Sequence, residues 1–238
     1  MAKRLPKVLT FDVVGTLIDF EAGMINYIRA ACPEAAAKFD DETFLAAYRR
    51  IRGNAKPKRF PDDLERVYHE MVPELGLPDD PKLARGFAES IEHWPAFPDS
   101  VEALKRLKKH FKLVAMTNAQ RWSLKLMEKT LDHPFDDTVT VDEALCEKPD
   151  PKYFAFARGR LSRDGFELGD LLHVAQSQYH DIGVARQLGY TVCWIERRQG
   201  MKGTGGTLEA AYTKPDYHFP TLAALADAVE AGQVEMLY

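Results

Sequence analysis

A short apolar run near the start of the chain places the strongest constraint on the fold. The run is Val8-Leu9-Thr10-Phe11, and Asp12 follows it directly. Runs of this length are typical of strands buried on both faces of a parallel sheet. Because an unpaired buried carboxylate costs several kcal/mol, Asp12 is expected to be paired or to take part in chemistry. Gly15 allows a sharp turn just beyond it, and Thr16 supplies a hydroxyl beside the carboxylate.

The rest of the chain divides into a helical part and an alternating part. Residues 20–97 have helical spacing of apolar residues and contain no convincing strand, and Pro73, Pro78 and Pro81 are expected to divide the helices. From Asp99 onward, predicted helices alternate with strands near residues 111–116, 138–141, 171–175, 191–195 and 216–219. This alternation predicts a doubly wound, Rossmann-like α/β core of residues 1–19 and 98–238, with residues 20–97 as an all-helical insertion.

Two helix starts are predicted from local signals. Asp99-Ser100-Val101-Glu102 has the spacing of a capping box. Asp181 is expected to open a later helix, which Gly189 would end.

Composition excludes several classes of protein. The chain has 238 residues, 45% of them hydrophobic and 29% charged, with a net charge of −4, so no basic surface for nucleic acid is expected. Its apolar runs are too short to span a bilayer, and its first residues lack the apolar core of a secretory signal. The three cysteines are widely spaced, which argues against a disulfide framework or a zinc site. These features predict a cytoplasmic protein.

Polar residues follow the predicted core strands at four places. They are Asp12, the pair Thr117-Asn118, Lys148, and the stretch from Ser177 to Asp181. The carboxyl ends of parallel strands meet at one edge of a sheet, so we expect these side chains to face one pocket. Taken singly, each has a simpler explanation, such as a turn, a solvated lysine or a helix cap.

As a set, these motifs resemble those of the haloacid dehalogenase superfamily. Phe11-Asp12-Val13-Val14-Gly15-Thr16-Leu17 resembles the first motif, whose aspartate is the nucleophile, and Thr117-Asn118 resembles the second. Lys148 in Lys148-Pro149-Asp150-Pro151 resembles the third motif, and Asp181 the acid of the fourth. The resemblance covers the whole chain and implies that residues 20–97 form a cap domain.

Two positions distinguish branches of that superfamily. Phosphatase members carry a second acid two residues after the nucleophile, where this chain has Val14, which cannot transfer a proton. They usually carry Gly-Asp in the fourth motif, where this chain has Ala175-Gln176, and a neutral amide is a weaker magnesium ligand than a carboxylate. Both differences resemble the metal-independent (type II) 2-haloacid dehalogenases.

The resemblance implies hydrolysis of a small 2-haloalkanoic acid through an aspartyl-ester intermediate, with no cofactor. Asp12 is implied as the nucleophile, and Lys148, Asp181 and Thr16 as further catalytic residues. In that branch an arginine of an aromatic-Arg pair binds the substrate carboxylate or the halide, and Tyr48-Arg49 matches the pair. Substrate contacts are therefore implied for Arg49, Val14, Thr117, Asn118 and Ser177.

Two other functions stay open at this point. A magnesium-dependent phosphatase or phosphonatase-like hydrolase would bind Mg²⁺ with Asp12, the backbone of Val14 and Asp181. A non-catalytic binding protein on the same core is the third hypothesis. The expected partner is a small-molecule substrate, without nucleic acid or membrane, and a homodimer that buries apolar cap surface is an open alternative to a monomer.

Overall fold

The sheet is the framework that positions the polar residues. The computed structural model describes residues 5–54 and 58–236. Its strands are β1 (Val8–Phe11), β2 (Lys112–Met116), β3 (Asp137–Val139), β4 (Leu171–Ala175), β5 (Thr191–Ile195) and β6 (Tyr217–Phe219). Neighbouring strands all run parallel, in the order β3-β2-β1-β4-β5-β6.

Strand β1 lies in the middle of the sheet. Phe11 pairs in register with Ala115 of β2 on one side and with Val174 of β4 on the other. All four residues of β1 are buried, as expected for a strand with neighbours and helices around it. The residue that follows, Asp12, therefore emerges between the ends of β2 and β4.

The helices of the chain fall into two groups. Between β1 and β2 lie α1 (Phe20–Ala31), α2 (Pro33–Ala36), α3 (Asp41–Arg52), α4 (Leu64–Leu75), α5 (Pro81–Glu89), a 3-10 turn (Ser90–His93) and α6 (Ser100–Lys108). After β2 come α7 (Arg121–Thr130), α8 (Val141–Ala144), α9 (Pro151–Arg163), α10 (Gly183–Gln187) and α11 (Leu222–Glu230).

Alternation along the strands gives the sheet two apolar faces. Leu9 and Phe11 belong to one buried cluster, which includes apolar residues of α6, α7 and α11. Val8 belongs to a second cluster on the opposite face, which includes apolar residues of α9 and α10. Because side chains of a strand alternate between faces, this division produces a helix-sheet-helix sandwich. The α/β fold predicted from the sequence is thereby confirmed.

The inserted helices α1–α5 leave and rejoin the sheet region at neighbouring points. Asp19 N donates to Pro95 O at 2.8 Å, and Phe97 N donates to Leu17 O at 3.0 Å, so the outgoing and returning segments lie side by side. A second contact is made further along the insertion, where Gln120 N donates to Phe60 O at 2.9 Å. The insertion is thus held over the end of β1 and the loop after β2.

Three local expectations need correction. Pro73 lies inside α4, not between helices; it sits in the last turn, where removing one backbone donor costs the helix little before Gly76 ends it at φ +62°. The predicted capping box at Asp99 is absent, because the Asp99 carboxylate accepts instead from Ala223 N and from Arg197 Nη1. Asp181 does not open α10, because it lies within the turn that precedes this helix.

The sequence predicts that no segment spans a membrane, and the lengths of the helices bear on this prediction. The longest helix in the described part of the chain, α9, has 13 residues. A membrane-spanning helix needs about 20 predominantly apolar residues. Over residues 5–54 and 58–236, no helix is long and apolar enough to span a bilayer.

Gly23 of α1 gives a test of how the insertion packs. A Cβ added at Gly23 would lie 2.3 Å from Trp94 Cγ, whereas one added at Gly159 of α9 would have no atom within 4 Å. We expect Gly23→Ala to destabilise the protein by about 1–3 kcal/mol through overpacking, despite the higher helix propensity of alanine. Gly159→Ala, the matched control, should stabilise it by about 0.5–1 kcal/mol. Urea unfolding of both variants measures this; equal effects would contradict the packing.

Candidate active site

A buried lysine lies at the centre of the polar residues at the sheet edge. Lys148 Nζ donates to Asp12 Oδ1 at 2.9 Å, to Asp181 Oδ1 at 2.6 Å and to Met116 O at 2.7 Å. An ammonium has three donors, so all of them are used. The backbone of Lys148 is fixed by a reciprocal pair of hydrogen bonds with the Asn118 amide, at 2.7 and 2.8 Å.

Asp12 is held on both oxygens, by Thr16 of the first motif and by Lys148 of the third. Its Oδ2 accepts from Thr16 Oγ1 at 2.7 Å, while Oδ1 faces Lys148. Gly15, at φ +91°, provides the turn that brings Thr16 back toward the carboxylate. Thr16 Oγ1 in turn accepts from Gln176 N at 2.9 Å, which ties the turn to the end of β4.

Asp181 lies in a π-helical turn (Gln178–Ile182) that leads into α10, and it does not open the helix as predicted. Ser177 caps this turn instead, since its side chain accepts from His180 N at 2.9 Å. Asp181 Oδ1 contacts both Lys148 Nζ and, at 3.1 Å, His173 Nε2. Its Oδ2 is buried and has no hydrogen-bond partner within the described residues.

Burial and charge act in opposite directions on this cluster. Burial raises the pKa of Asp12, and Asp181 adds to the rise while Lys148 opposes it, so the pKa stays above the usual value. For Asp181, burial is outweighed by the Lys148 charge and the His173 hydrogen bond, and the pKa falls to about 2. The two carboxylates likewise outweigh burial and raise the pKa of Lys148. Of the two acids, Asp12 is therefore the anion that is less stabilised.

These groups open onto a cavity between the sheet edge and the inserted helices, with about 590 Å³ of empty space including part that reaches solvent. Its apolar walls come from both regions. The lining residues are Asp12, Val14, Phe20, Arg52, Phe60, Thr117, Asn118, Ala119, Lys148, Gln176, Ser177, His180, Asp181, Gly206, Thr207 and Leu208.

Of the nine site residues predicted from the sequence, seven line this cavity, and Thr16 and Arg49 do not. Thr16 supports Asp12 from behind. Arg49 lies beside it: its Nη1 donates to Gly205 O, and its guanidinium is 3.8 Å from Glu42 and 3.6 Å from Glu209.

Arg52, one helical turn later on α3, lines the cavity in place of Arg49. Only 8% of the surface of Arg52 is exposed, and its Nη1 has no hydrogen-bond partner in the described part of the chain. The guanidinium lies 5.6 Å from the centre of the ring of Phe60, another residue of the cavity lining. Only the spacing of three residues from Arg49 hinted at this from the sequence.

Sequence reasoning also missed His173. It is fully buried in β4, with Nδ1 2.9 Å from Thr10 Oγ1 and Nε2 on Asp181. The signal was a lone histidine in the apolar run Leu171-Leu172-His173-Val174-Ala175, which demands a partner by the same argument that applied to Asp12.

The oxygen atoms around Asp12 that could bind a metal fit a magnesium ion poorly. Lys148 already joins the two carboxylates, and the side-chain oxygen of Gln176 accepts from Thr207 Oγ1 at 3.2 Å. No group of three or more His, Cys, Asp or Glu side chains placed to hold a metal occurs within residues 5–54 and 58–236. Mg²⁺ prefers an octahedral shell of oxygens built on carboxylates, and two carboxylates shared with an ammonium offer less than that.

The two acids predict opposite effects of isosteric substitution on stability. Ionised Asp181 has a folded-state pKa of about 2, below its unfolded value, so it stabilises the fold above pH ~4 by roughly 2 kcal/mol and loses this as pH falls. Asp12 has a raised pKa, so its ionisation costs stability as pH rises through that pKa. At pH 7, urea unfolding should show Asp181→Asn destabilised and Asp12→Asn as stable as the parent or more so. Equal losses in both would contradict the assignment.

Comparison with known proteins gives one family. Residues 6–189 match the family described as haloacid dehalogenase-like hydrolase. An (S)-2-haloacid dehalogenase of Pseudomonas fluorescens is 24% identical over 200 residues, covering 80% of this chain and 84% of the relative. One from Pseudomonas sp. (strain YL) is 25% identical over 238 residues, covering 96% and 97%.

A solved structure agrees with these relatives. The L-2-haloacid dehalogenase of Xanthobacter autotrophicus with covalently bound chloropropionic acid is 19% identical, with a TM-score of 0.71 over 95% of this chain and 99% of that one. At this identity the likeness concerns the fold. The resemblance inferred from the four motifs is confirmed by the family match, which spans most of the chain. This protein belongs to the haloacid dehalogenase-like hydrolases.

Proposed function

We propose that this enzyme hydrolyses small 2-haloalkanoic acids without a metal ion. The observation that carries the proposal is the pairing, across one cavity, of a lysine-held carboxylate (Asp12) with an arginine whose Nη1 has no partner in the described chain (Arg52). A 2-haloacid supplies a counterpart for each, since its C2 atom is open to carboxylate attack and its own carboxylate matches a guanidinium. The dehalogenase relatives support the same substrate class.

In the first step, an Asp12 carboxylate oxygen attacks C2 of the substrate. The carbon-halogen bond breaks with its electron pair, halide leaves, and an ester joins Asp12 to the substrate. Halide needs no proton to leave, so Val14 is adequate where a phosphatase requires an acid. Lys148 keeps Asp12 in its ionised form by holding Oδ1 at 2.9 Å.

In the second step, water attacks the carboxyl carbon of the Asp12 ester. Asp181 Oδ2, buried at the cavity without a partner, is the acceptor for the water proton, because Oδ1 is occupied by Lys148 and His173. The low pKa of Asp181 keeps it ionised for this task throughout the neutral range. The ester C–O bond then breaks, and the departing oxygen takes the proton of the newly added hydroxyl, which releases the 2-hydroxy acid and restores the Asp12 carboxylate. The proton held by Asp181 passes to solvent as the net proton of the reaction.

The roles of the other residues follow from their partners. We assign binding of the substrate carboxylate to Arg52. Arg49 instead holds the backbone beside the cavity, since its Nη1 donates to Gly205 O. Asn118 acts through Lys148, since both ends of its amide are bonded to the Lys148 backbone. Thr117, Ser177 and Val14 line the cavity and bound the space left for substrate.

We further propose the domain division predicted from the sequence, with residues 20–97 as a cap on a core of 1–19 and 98–238. The chain leaves the core near Asp19 and returns near Phe97, and these two segments lie side by side. This arrangement supports the division, because two adjacent connections can act as a hinge. The cap supplies Phe20, Arg52 and Phe60 to the cavity, so its position controls both access and the exclusion of water.

The reaction is tested by halide release from racemic 2-chloropropionate in excess chelator. We expect chloride to be released from one enantiomer, with Asp12→Asn reducing the rate by at least 10⁴-fold because no ester can form. An aryl phosphate with added Mg²⁺ is assayed in parallel. Phosphate release that needs Mg²⁺, with no chloride in either condition, would replace the proposal by the magnesium-dependent hydrolase, and turnover of neither would favour a binding protein.

Arg52 has a matched control on the same helix. Arg52→Met should raise KM for 2-chloropropionate at least tenfold, which is about 1.4 kcal/mol, because a charge-assisted contact to the substrate is lost. Arg50, an exposed arginine paired with Glu74, is the control: Arg50→Met should leave KM within about twofold. Steady-state halide release measures both. A KM that is unchanged in Arg52→Met would remove Arg52 from the substrate site.

A further inference from the structure

The segment that follows β5 forms part of the cavity wall. Residues 198–209, called the strap here, contribute Gly206, Thr207 and Leu208 to the lining. The glycine-rich stretch within it has no regular secondary structure. A segment of this kind keeps one position beside a cavity only if its backbone is bonded elsewhere.

The inserted helices supply the first set of bonds. Gly206 N donates to Glu21 Oε1 of α1 at 2.7 Å, and Gly205 N donates to Glu42 Oε1 of α3 at 3.2 Å. Arg198 at the start of the strap bridges the same two acids, at 2.5 Å to Glu21 and 3.1 Å to Glu42. Two carboxylates thus hold the strap through both its backbone and its side chain.

The core supplies a different bond, through the residue that departs from the family's fourth motif. Thr207 Oγ1 donates to Gln176 Oε1 at 3.2 Å. Gln176 is itself fixed, since its N donates to Thr16 Oγ1 at 2.9 Å and its O accepts from Trp194 Nε1 at 2.8 Å. One residue therefore connects the Asp12 turn to the strap.

Close packing against α1 and α3 further restricts the position of the strap backbone. A Cβ at Gly206 would lie 2.8 Å from the Phe20 ring and 3.2 Å from the Tyr48 ring, so this backbone is pressed against α1 and α3. Leu208 packs against the C-terminal end of α3, because its Cδ2 lies 3.5 Å from the position that a Cβ of Gly53 would take. Leu208 thus fills the space between the strap and the end of α3, next to Arg52.

We propose that the Gln176–Thr207 hydrogen bond seats the strap so that Leu208 sets the length of the substrate side chain that the site accepts. This inference rests on the proposed dehalogenation and deepens it. With the carboxylate at Arg52 and C2 at Asp12, the third substituent on C2 extends along the apolar part of the wall. We place this substituent against Leu208, an apolar side chain of the cavity lining, and a pocket of fixed depth discriminates between chains by one methylene or more. In this chain Gln176 serves as a positioning residue for specificity.

The test compares kcat/KM for 2-chloropropionate, 2-chlorobutanoate and 2-chlorohexanoate. Leu208→Ala should raise the hexanoate-to-propionate ratio at least tenfold, because a deeper pocket removes the penalty on the longer chain. Met201→Ala is the matched control, since Met201 lies on the strap with 59% of its surface exposed and is absent from the cavity lining. Its ratio should match the parent. A parental ratio in Leu208→Ala, with dehalogenation intact, would overturn the inference.

The seating bond has its own pair of variants. Thr207→Val keeps the side-chain shape without the hydroxyl, and Thr207→Ser keeps the hydroxyl. Hydrogen-deuterium exchange at Gly205 and Gly206 should be faster in the valine variant and near the parental rate in the serine variant. Equal exchange in both would overturn the role of Gln176. This readout needs no turnover, so it separates failure of the inference from failure of the proposed function. If only alkyl phosphates are hydrolysed, the same ratio is read from an alkyl phosphate series.

Discussion

The attraction of one buried ammonium for two carboxylates is the interaction on which the site depends. Lys148 holds Asp12 and Asp181 at 2.9 and 2.6 Å, and without it two buried anions would repel each other in a medium of low dielectric. The cation is shared unequally, because Asp181 also has the His173 contact. This asymmetry leaves Asp12 as the less stabilised of the two anions and keeps Asp181 firmly ionised at neutral pH.

The same cluster explains how an α/β core is combined with the inserted helices. The core supplies every charged member of the cluster: Asp12 follows β1, Asp181 lies in the turn after β4, and Lys148 lies in the loop between α8 and α9. The insertion supplies a single cation, Arg52, and two aromatic walls, and it is held by backbone hydrogen bonds at Asp19 and Phe97 and by the strap. The cavity is therefore lined by both parts of the chain, and these backbone hydrogen bonds and the strap fix how the two parts meet.

The departures from the phosphatase pattern have a coherent physical meaning. Val14 stands where a phosphatase has its proton donor, a group that the halide loss proposed above would not require. Gln176 replaces a carboxylate by an amide that accepts from Thr207 and is tied by its backbone to Thr16 and Trp194. A charged side chain at that position would add a third anion beside Asp12 and Asp181. The amide instead supports the cavity wall without changing the charge of the cluster.

The sequence by itself determined the α/β class, the strand positions, and the meeting of Asp12, Lys148 and Asp181, because strand periodicity and parallel topology bring strand ends to one edge. It did not determine which arginine of α3 enters the cavity. Arg49 and Arg52 differ by one turn, and only the packing of α3 against the strap and Phe60 separates them. Nor did it reveal the bonds of His173, Gln176 and Thr207, which join residues far apart in the chain. Local pattern encodes elements, whereas such contacts arise only when the elements pack in three dimensions.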